Sequence, residues 1–205
     1  MRTLALWALL LLASAVPLAA QAEARLRERL DPATHAAVSS ILARARAAGL
    51  PERPLAQKAL EGVTKGAAPA EVLAAVRGLE ERLAVAREAL GPAAAERELV
   101  AASSALYAGA TPAMLRSVRR LPAAGDELSG AYTALAFLLH RGVAPAISAE
   151  VISTLVRSHA EEAEFLSLQQ LVDSDIYRGS TPADAARTRA RALSSSIAGR
   201  AGSPP

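Results

Sequence analysis

Hydrophobic residues recur every three to four positions along most of the chain, the spacing that places them on one face of an α-helix. The longest such run extends from Val72 to Leu90, and charged residues such as Glu80 and Arg87 fill the intervening positions. No segment shows the strict alternation of apolar and polar residues that is typical of a half-buried strand. The pattern therefore predicts an all-α chain of about nine or ten helices.

A seven-residue motif interrupts this pattern four times: an aliphatic residue, two variable residues, Gly, two variable residues and Pro. Its copies are Val63–Pro69, Leu106–Pro112, Leu139–Pro145 and Ile176–Pro182. Gly tolerates the left-handed backbone conformation in which many helices end, and Pro is favoured at the first position of a helix. Each copy therefore predicts the end of one helix and the start of the next.

The residues beside the motif agree with this interpretation. A cation precedes three of the glycines, where it complements the negative end of a helix dipole: Lys65, Arg141 and Arg178. Thr111 and Thr181 precede prolines, and we expect each to cap the following helix. Ala68 and Ala144 cannot cap, so their helices should lack about 1 kcal/mol of stabilisation.

The glycines of the motif are 43, 33 and 37 residues apart, from the differences between positions 66, 109, 142 and 179. Each interval has room for two helices, and repeats of this size are typical of helical hairpins stacked as in an α-solenoid. We therefore predict stacked helical hairpins. The uneven spacing leaves an irregular single-core helical bundle as the alternative.

The first 22 residues have the features of a secretory signal peptide. Arg2 gives a positively charged start, Leu4–Leu12 an apolar core, and Ala20-Gln21-Ala22 the small residues of a cleavage site. Cleavage near Ala22 would leave one helical domain at 23–198 and a disordered tail at 199–205. The alternative is an uncleaved membrane anchor, although the apolar run is shorter than the roughly 20 residues of a span. No later segment is apolar enough to be an integral membrane segment.

Composition narrows the classes of function. The chain has no Cys, which excludes disulfides and thiolate metal sites. Arg2 is the one charged residue of the predicted signal peptide, so its removal lowers the formal net charge from +3 by one. A nearly neutral chain lacks the basic field that nucleic-acid binding requires, so we predict no nucleic-acid partner. Frequent Ala and Arg together with an export signal indicate a GC-rich bacterium and a periplasmic or secreted location.

No motif of catalytic chemistry is present. There is no Gly-rich phosphate loop and no Gly-x-Ser-x-Gly elbow. His159 and Glu162 lie one turn apart, but no second cluster supplies the further ligands that a metal needs. Asp173-Ser174-Asp175 stands alone within a predicted helix, where we interpret it as a polar face. We therefore predict no catalytic residue, no metal and no cofactor.

Two sets of residues are candidates for binding a partner. Tyr107, His140 and Tyr177 occupy the same position of the motif, two residues before its Gly. They either close the ends of their helices or form a row of polar aromatic side chains that faces a partner. The second set is a compact cluster of positive charge and consists of Arg116, Arg119 and Arg120.

The segment from Lys58-Ala59-Leu60-Glu61-Gly62 through Lys65-Gly66-Ala67-Ala68-Pro69 resembles exported proteins of GC-rich bacteria that carry no assigned activity. The resemblance is best between Gly49 and Leu90. It implies an exported helical domain and supplies no functional residues.

The sequence thus favours an exported, non-catalytic helical scaffold that binds a protein or peptide of the cell envelope. The alternative is a periplasmic enzyme or small-ligand carrier whose site is assembled from dispersed His, Asp and Glu side chains. A deep pocket that holds His140 or His159 beside a carboxylate would favour the alternative. Isolated positions of both histidines on open surface would count against it.

Overall fold

The computed structural model describes residues 18–123 and 127–201, and within these ranges it contains ten α-helices and no strand. The all-α prediction is therefore confirmed. The helices are α1 (Leu18–Arg29), α2 (Pro32–Ala47), α3 (Glu52–Thr64), α4 (Pro69–Leu90), α5 (Glu96–Tyr107), α6 (Pro112–Arg119), α7 (Ser129–His140), α8 (Pro145–Arg157), α9 (Glu162–Tyr177) and α10 (Pro182–Ala201).

Both ends of the chain bear on the predicted domain limits. Residues 1–17 of the predicted signal peptide lie outside the described residues, and α1 extends across the predicted cleavage site at Ala22. The tail predicted from Gly199 begins inside α10, which continues to Ala201, and residues 202–205 lie outside the described residues. Asp126, which the sequence suggests as a cap for α7, also lies outside them.

Among the described helices, none has the length and apolar character of a membrane span.

The described chain divides into two compact units. The first consists of residues 18–44 and 52–76, and the second of residues 45–51, 77–123 and 127–201. In the first unit α1 packs against α3, and the apolar faces of the helices meet in a core that includes Leu26, Val38, Leu55 and Val72. These are the positions that the helical spacing of hydrophobic residues predicts to be buried.

The second unit has two rows of helices. In one row α7 packs between α5 and α9, and in the other α8 packs against α6 and α10. The rows meet where α7 contacts α8 and where α9 contacts α10. The core between them is formed by fully buried side chains of both rows: Leu99, Leu115, Tyr132, Leu135, Leu138, Ile152, Leu155 and Leu168.

Ion pairs between helix ends show the relative directions of the helices in this unit. Arg200 near the end of α10 lies 2.6 Å from Glu164 in the first turn of α9, so the two helices are antiparallel. Glu98 in the first turn of α5 lies 2.9 Å from Arg119 at the end of α6, which makes that pair antiparallel too. Consecutive helices thus alternate in direction, which confirms the stacked helical hairpins.

The four glycines of the motif end their helices as predicted. Their φ angles are 72, 105, 81 and 98° for Gly66, Gly109, Gly142 and Gly179. In each case the N–H of the residue after Gly donates to the carbonyl five residues earlier, as Ala110 does to Ala105 at 2.8 Å. This is the Schellman arrangement, which pairs carbonyls that the end of a helix would leave unsatisfied.

The same terminus occurs at two places that the motif does not mark. One is Gly49, where φ is 66° and Leu50 donates to Ala45. The other is His159, where φ is 59° and Ala160 donates to Leu155 at 3.0 Å. His159 is the one non-glycine residue with positive φ in the described part of the chain. In all six termini the next helix begins three residues later.

The starts of the helices differ in how they are capped. Thr111 Oγ1 accepts from the Met114 N–H and Thr181 Oγ1 from the Asp184 N–H, both at 3.2 Å, so both predicted caps are confirmed. Ala144 has no side-chain cap. The helix after Ala68 obtains a different bond, because the Ala68 N–H donates to Glu71 Oε2 at 2.9 Å.

Candidate functional site

The three candidate aromatic side chains lie at equivalent places in the second unit. Tyr107, His140 and Tyr177 are the last residues of α5, α7 and α9. The two tyrosines are 77% and 93% exposed, and His140 is also exposed. A side chain that is 93% exposed makes almost no packing contact, so Tyr177 contributes little to closing the end of its helix.

Stacking of the hairpins brings these three residues to one end of the unit. Arg97 in the first turn of α5 lies 2.6 Å from Glu127, just before α7, so the starts of these helices adjoin. Both helices have 12 residues, so their ends adjoin as well. Arg141, just after α7, lies 2.7 Å from Asp173 in the last turns of α9. Tyr107, His140 and Tyr177 therefore form a row of roughly 20 Å across neighbouring helix axes, which we name the aromatic edge.

Arginines accompany the second and third residues of the aromatic edge, and both are neutralised. Arg141 follows His140, pairs with Asp173 and has its guanidinium carbon 5.4 Å from the centre of the Phe137 ring. Arg178 follows Tyr177 and lies 3.2 Å from Asp175 Oδ1. Asp175 also accepts two hydrogen bonds from Arg189, and these bonds lower the pKa of its carboxyl group.

Tyr107 has no arginine after it, and α4 supplies one instead. The guanidinium carbon of Arg82 lies 4.9 Å from the centre of the Tyr107 ring, within the range of a cation–π interaction. Arg82 is half-buried, and its Nε is out of reach of solvent without a hydrogen-bond partner among the described residues. No described carboxylate forms an ion pair with Arg82.

The predicted basic cluster does not join the aromatic edge. Helix α6 begins beside the edge, three residues after Gly109, and leads away to Arg119 at the opposite end of the unit. Arg119 pairs with Glu98 and is only 27% exposed, so its charge is engaged within the protein. Arg116 and Arg120 are exposed, and the Nε of Arg120 donates to the Arg116 carbonyl at 3.1 Å. The structure thus separates the six candidate residues into two places.

Glu98 is the charged residue that the sequence interpretation missed. It is 1% exposed, and its Oε1 accepts from Arg119 at 2.9 Å and from the Leu128 N–H at 2.8 Å. Its Oε2 accepts from the Ala95 N–H at 3.0 Å. One carboxylate therefore joins the start of α5, the end of α6 and the start of α7. With both oxygens occupied by donors of the protein, Glu98 is a structural residue rather than a binding group.

Tyr132 lies close to this ion pair and is fully buried. Its hydroxyl donates to the Leu115 carbonyl at 3.3 Å. Burial, and secondarily the negative charge of Glu98, raise the pKa of its phenol well above the usual value. Tyr132 therefore stays neutral at any physiological pH and serves the core.

The histidines of the alternative hypothesis lie apart from each other. His140 and His159 are both exposed, and within the described residues neither imidazole side chain forms a hydrogen bond or an ion pair. His35 is in the first unit, where its Nε2 lies 2.9 Å from Glu23 Oε1. Residues 18–123 and 127–201 contain no group of three His, Asp or Glu side chains that could hold a metal ion.

A cavity of about 240 Å³ lies between the first turns of α7 and α9. Its lining includes Ser129, Phe165 and the acidic residues Glu161 and Glu162, but no histidine. The cavity therefore lacks the combination of His and carboxylate that a carrier or enzyme site of the predicted kind requires.

The side chains of the aromatic edge are thus exposed and free to contact a partner. Glu98, by contrast, is buried and holds helices of the protein together. The exported helical protein that the sequence resemblance implies stays a prediction. Comparisons with models of protein families, with characterised proteins and with solved structures found no match to this chain.

Proposed function

We propose that this protein is a non-catalytic helical scaffold of the bacterial cell envelope that binds a protein or peptide at the aromatic edge. The observation that carries the proposal is the parallel packing of α5, α7 and α9. It brings Tyr107, His140 and Tyr177, which are far apart in sequence, to one end of the second unit with their side chains exposed.

The chemistry of these side chains suits a protein interface. Tyrosine offers a large rigid apolar ring and a hydroxyl group that forms hydrogen bonds, and it is enriched among the residues that dominate binding energy. Stacked hairpins also present a regular series of helix ends along which an extended segment can lie. An edge of roughly 20 Å would accept about six residues of an extended peptide at about 3.3 Å each.

Export is the second part of the proposal and rests on sequence alone. The charged start, apolar run and small residues between Arg2 and Ala22 support secretion. The alternative function, an enzyme or carrier built on dispersed histidines, gains no support from the exposed and isolated positions of His140 and His159.

The proposal is tested by photo-cross-linking in the cell. A benzoyl-phenylalanine would replace Tyr107, His140 or Tyr177, one at a time, in the full chain. Arg157 and Leu166 are matched control positions, because both are exposed and lie away from the edge on α8 and α9. We expect one recurrent cross-linked protein from the edge positions and none from the controls. Identical products from all five positions, or none from the edge, would contradict the proposal.

Alanine substitutions then measure the contribution of each ring. Tyr107→Ala and Tyr177→Ala should each weaken binding of the cross-linked protein by about tenfold or more, the loss typical of a dominant interface residue. Leu166→Ala removes a large exposed side chain from the same helix as Tyr177 and should leave the affinity unchanged. A loss in all three variants would point to damage of the fold rather than of the edge.

A further inference from the structure

We propose that the segment bound at the aromatic edge is acidic and that Arg82 receives its carboxylate, an inference that rests on the proposed function of the edge. Three guanidinium groups accompany the three residues of the edge. Arg141 and Arg178 each have a carboxylate of the protein, Asp173 and Asp175. Arg82 is the member of the set that lacks one among the described residues.

The position of Arg82 makes an unpaired charge unfavourable. Arg82 is half-buried, and burial of a charged group costs free energy unless an opposite charge or hydrogen-bond acceptors compensate it. Its Nε has neither solvent nor acceptor. Tyr107 compensates in part by a cation–π contact at 4.9 Å. A carboxylate from a partner, received by the Nη atoms, would compensate the positive charge itself.

The geometry also leaves Arg82 able to receive a carboxylate. A guanidinium that stacks on a ring by its face keeps the donors along its rim available, and two rim donors match the two oxygens of a carboxylate. Among the described residues, Nε is the one nitrogen of Arg82 that is buried without a partner, and the two Nη atoms are not buried in this way. Gly78, one turn earlier on α4, keeps space beside them, since a Cβ atom there would lie 3.3 Å from Nη1.

The rest of the edge favours isolated carboxylates over denser negative charge. At the α9 end of the edge Arg141 and Arg178 are already paired with Asp173 and Asp175, so they attract a phosphate-rich surface less than unpaired arginines would. The exposed rings of Tyr107 and Tyr177 offer apolar area that a peptide, with alternating side chains, can cover. We therefore infer a peptide segment that contains Asp or Glu, with one carboxylate at Arg82 and its neighbours along the edge towards Tyr177.

Fluorescence anisotropy with synthetic peptides tests this inference without knowledge of the natural partner. The probes are labelled decapeptides that alternate Gly with Glu, Gln or Lys, at an ionic strength of about 10 mM so that charges are weakly screened. The proteins are the full chain, Arg82→Gln and Arg157→Gln. The control removes the same charge from an exposed arginine at the end of α8, away from the edge.

We expect the Glu peptide to bind more tightly than the other two, and Arg82→Gln to weaken it by about tenfold or more, as for loss of a charged hydrogen bond. Arg157→Gln should change the affinity little. Equal losses in both variants would mean general attraction and would overturn the assignment to Arg82. Equal binding of the Glu and Gln peptides, abolished by Tyr177→Ala, would overturn the acidic partner while leaving the proposed function intact. Binding of vesicles of anionic phosphatidylglycerol, but of no peptide, would overturn both.

A second measurement does not depend on the stability of a variant. Because the Nε of Arg82 is shielded from solvent, its proton should exchange slowly and give a visible ¹⁵N NMR signal at neutral pH. Addition of the Glu peptide should shift this signal to a saturating value. A signal that stays in place while the Glu peptide binds would refute the role of Arg82.

Discussion

The carboxylate of Glu98 gives the strongest stability prediction for this protein. Glu98→Ala removes an acceptor from three donors: Arg119 at 2.9 Å, the Leu128 N–H at 2.8 Å and the Ala95 N–H at 3.0 Å. Leu128 is only 5% exposed, so its N–H would be left without solvent or a partner. An unsatisfied buried donor costs about 1–3 kcal/mol, and loss of a buried charge partner adds to this. We expect a destabilisation of about 3 kcal/mol.

Glu71 supplies a matched control within the same chain. Its Oε2 accepts from the Ala68 N–H at 2.9 Å, the same bond that Glu98 forms with Ala95, but Glu71 is exposed. Glu71→Ala should therefore cost only about 0.5–1 kcal/mol, the range of an ordinary cap. Glu98→Gln should fall between the two, because a glutamine has one oxygen and its NH₂ group must then face one of the three donors.

Urea unfolding followed by circular dichroism at 222 nm would measure these differences. For a chain of this size a loss of about 3 kcal/mol corresponds to a fall of about 6–12 °C in the melting temperature. A difference of less than about 1 kcal/mol between Glu98→Ala and Glu71→Ala would refute the reasoning, since burial would then add nothing to the cap. The double variant with Arg119→Ala should be less destabilised than the sum of the two single variants.

Three further predictions concern helix termini and pH. His159→Gly should stabilise the protein by about 1 kcal/mol, because Gly adopts the φ of 59° without strain. Gly142→Ala should destabilise the protein by a similar amount, because it places a Cβ atom at positive φ. The midpoints of urea unfolding measure both changes. Ala144→Ser should stabilise α8 by about 0.5–1 kcal/mol by adding the missing cap, and an unchanged melting temperature would contradict this. Arg189 holds the pKa of Asp175 below its ordinary value of 3.8, so this contribution to stability is complete above that pH and is lost as pH falls through the lower folded value. The urea midpoint should therefore decline below about pH 4, and less so in Asp175→Asn.

The helix termini could be predicted from the sequence because local chemistry determines them. A Gly that permits positive φ and a Pro that fits the first helical position specify the end and the start within seven residues. The terminus at His159 contains neither residue, so the motif does not mark it, although the hydrophobic spacing predicts a new helix from about Ala160. Its remaining local signals are the aliphatic Val156, three residues earlier, and Glu161 followed by Glu164, whose carboxylate accepts the Glu161 N–H at 2.9 Å.

The candidate site was only partly predictable, because pairs of distant residues compose it. Their common position within the motif predicts that Tyr107, His140 and Tyr177 lie at equivalent helix ends. The contact of Arg82 with Tyr107 depends on how α4 and α5 meet, which spacing does not reveal. Similarly, Arg119 and Glu98 are 21 residues apart in the sequence. They meet because α5 and α6 pack antiparallel, which brings the end of α6 to the start of α5. The cluster of arginines in the sequence therefore does not indicate which of them forms an ion pair within the protein.

The alternation of helix direction in the second unit has an electrostatic consequence. At the aromatic edge the carbonyl ends of α5, α7 and α9, each with about half a negative charge, stand beside the amide ends of α6, α8 and α10 with the opposite partial charge. These contributions cancel to first order, so the backbone gives the edge almost no field of its own. The attraction of a partner is then governed by a few side chains, and a single substitution such as Arg82→Glu would suffice to reverse the local preference from acidic to basic segments.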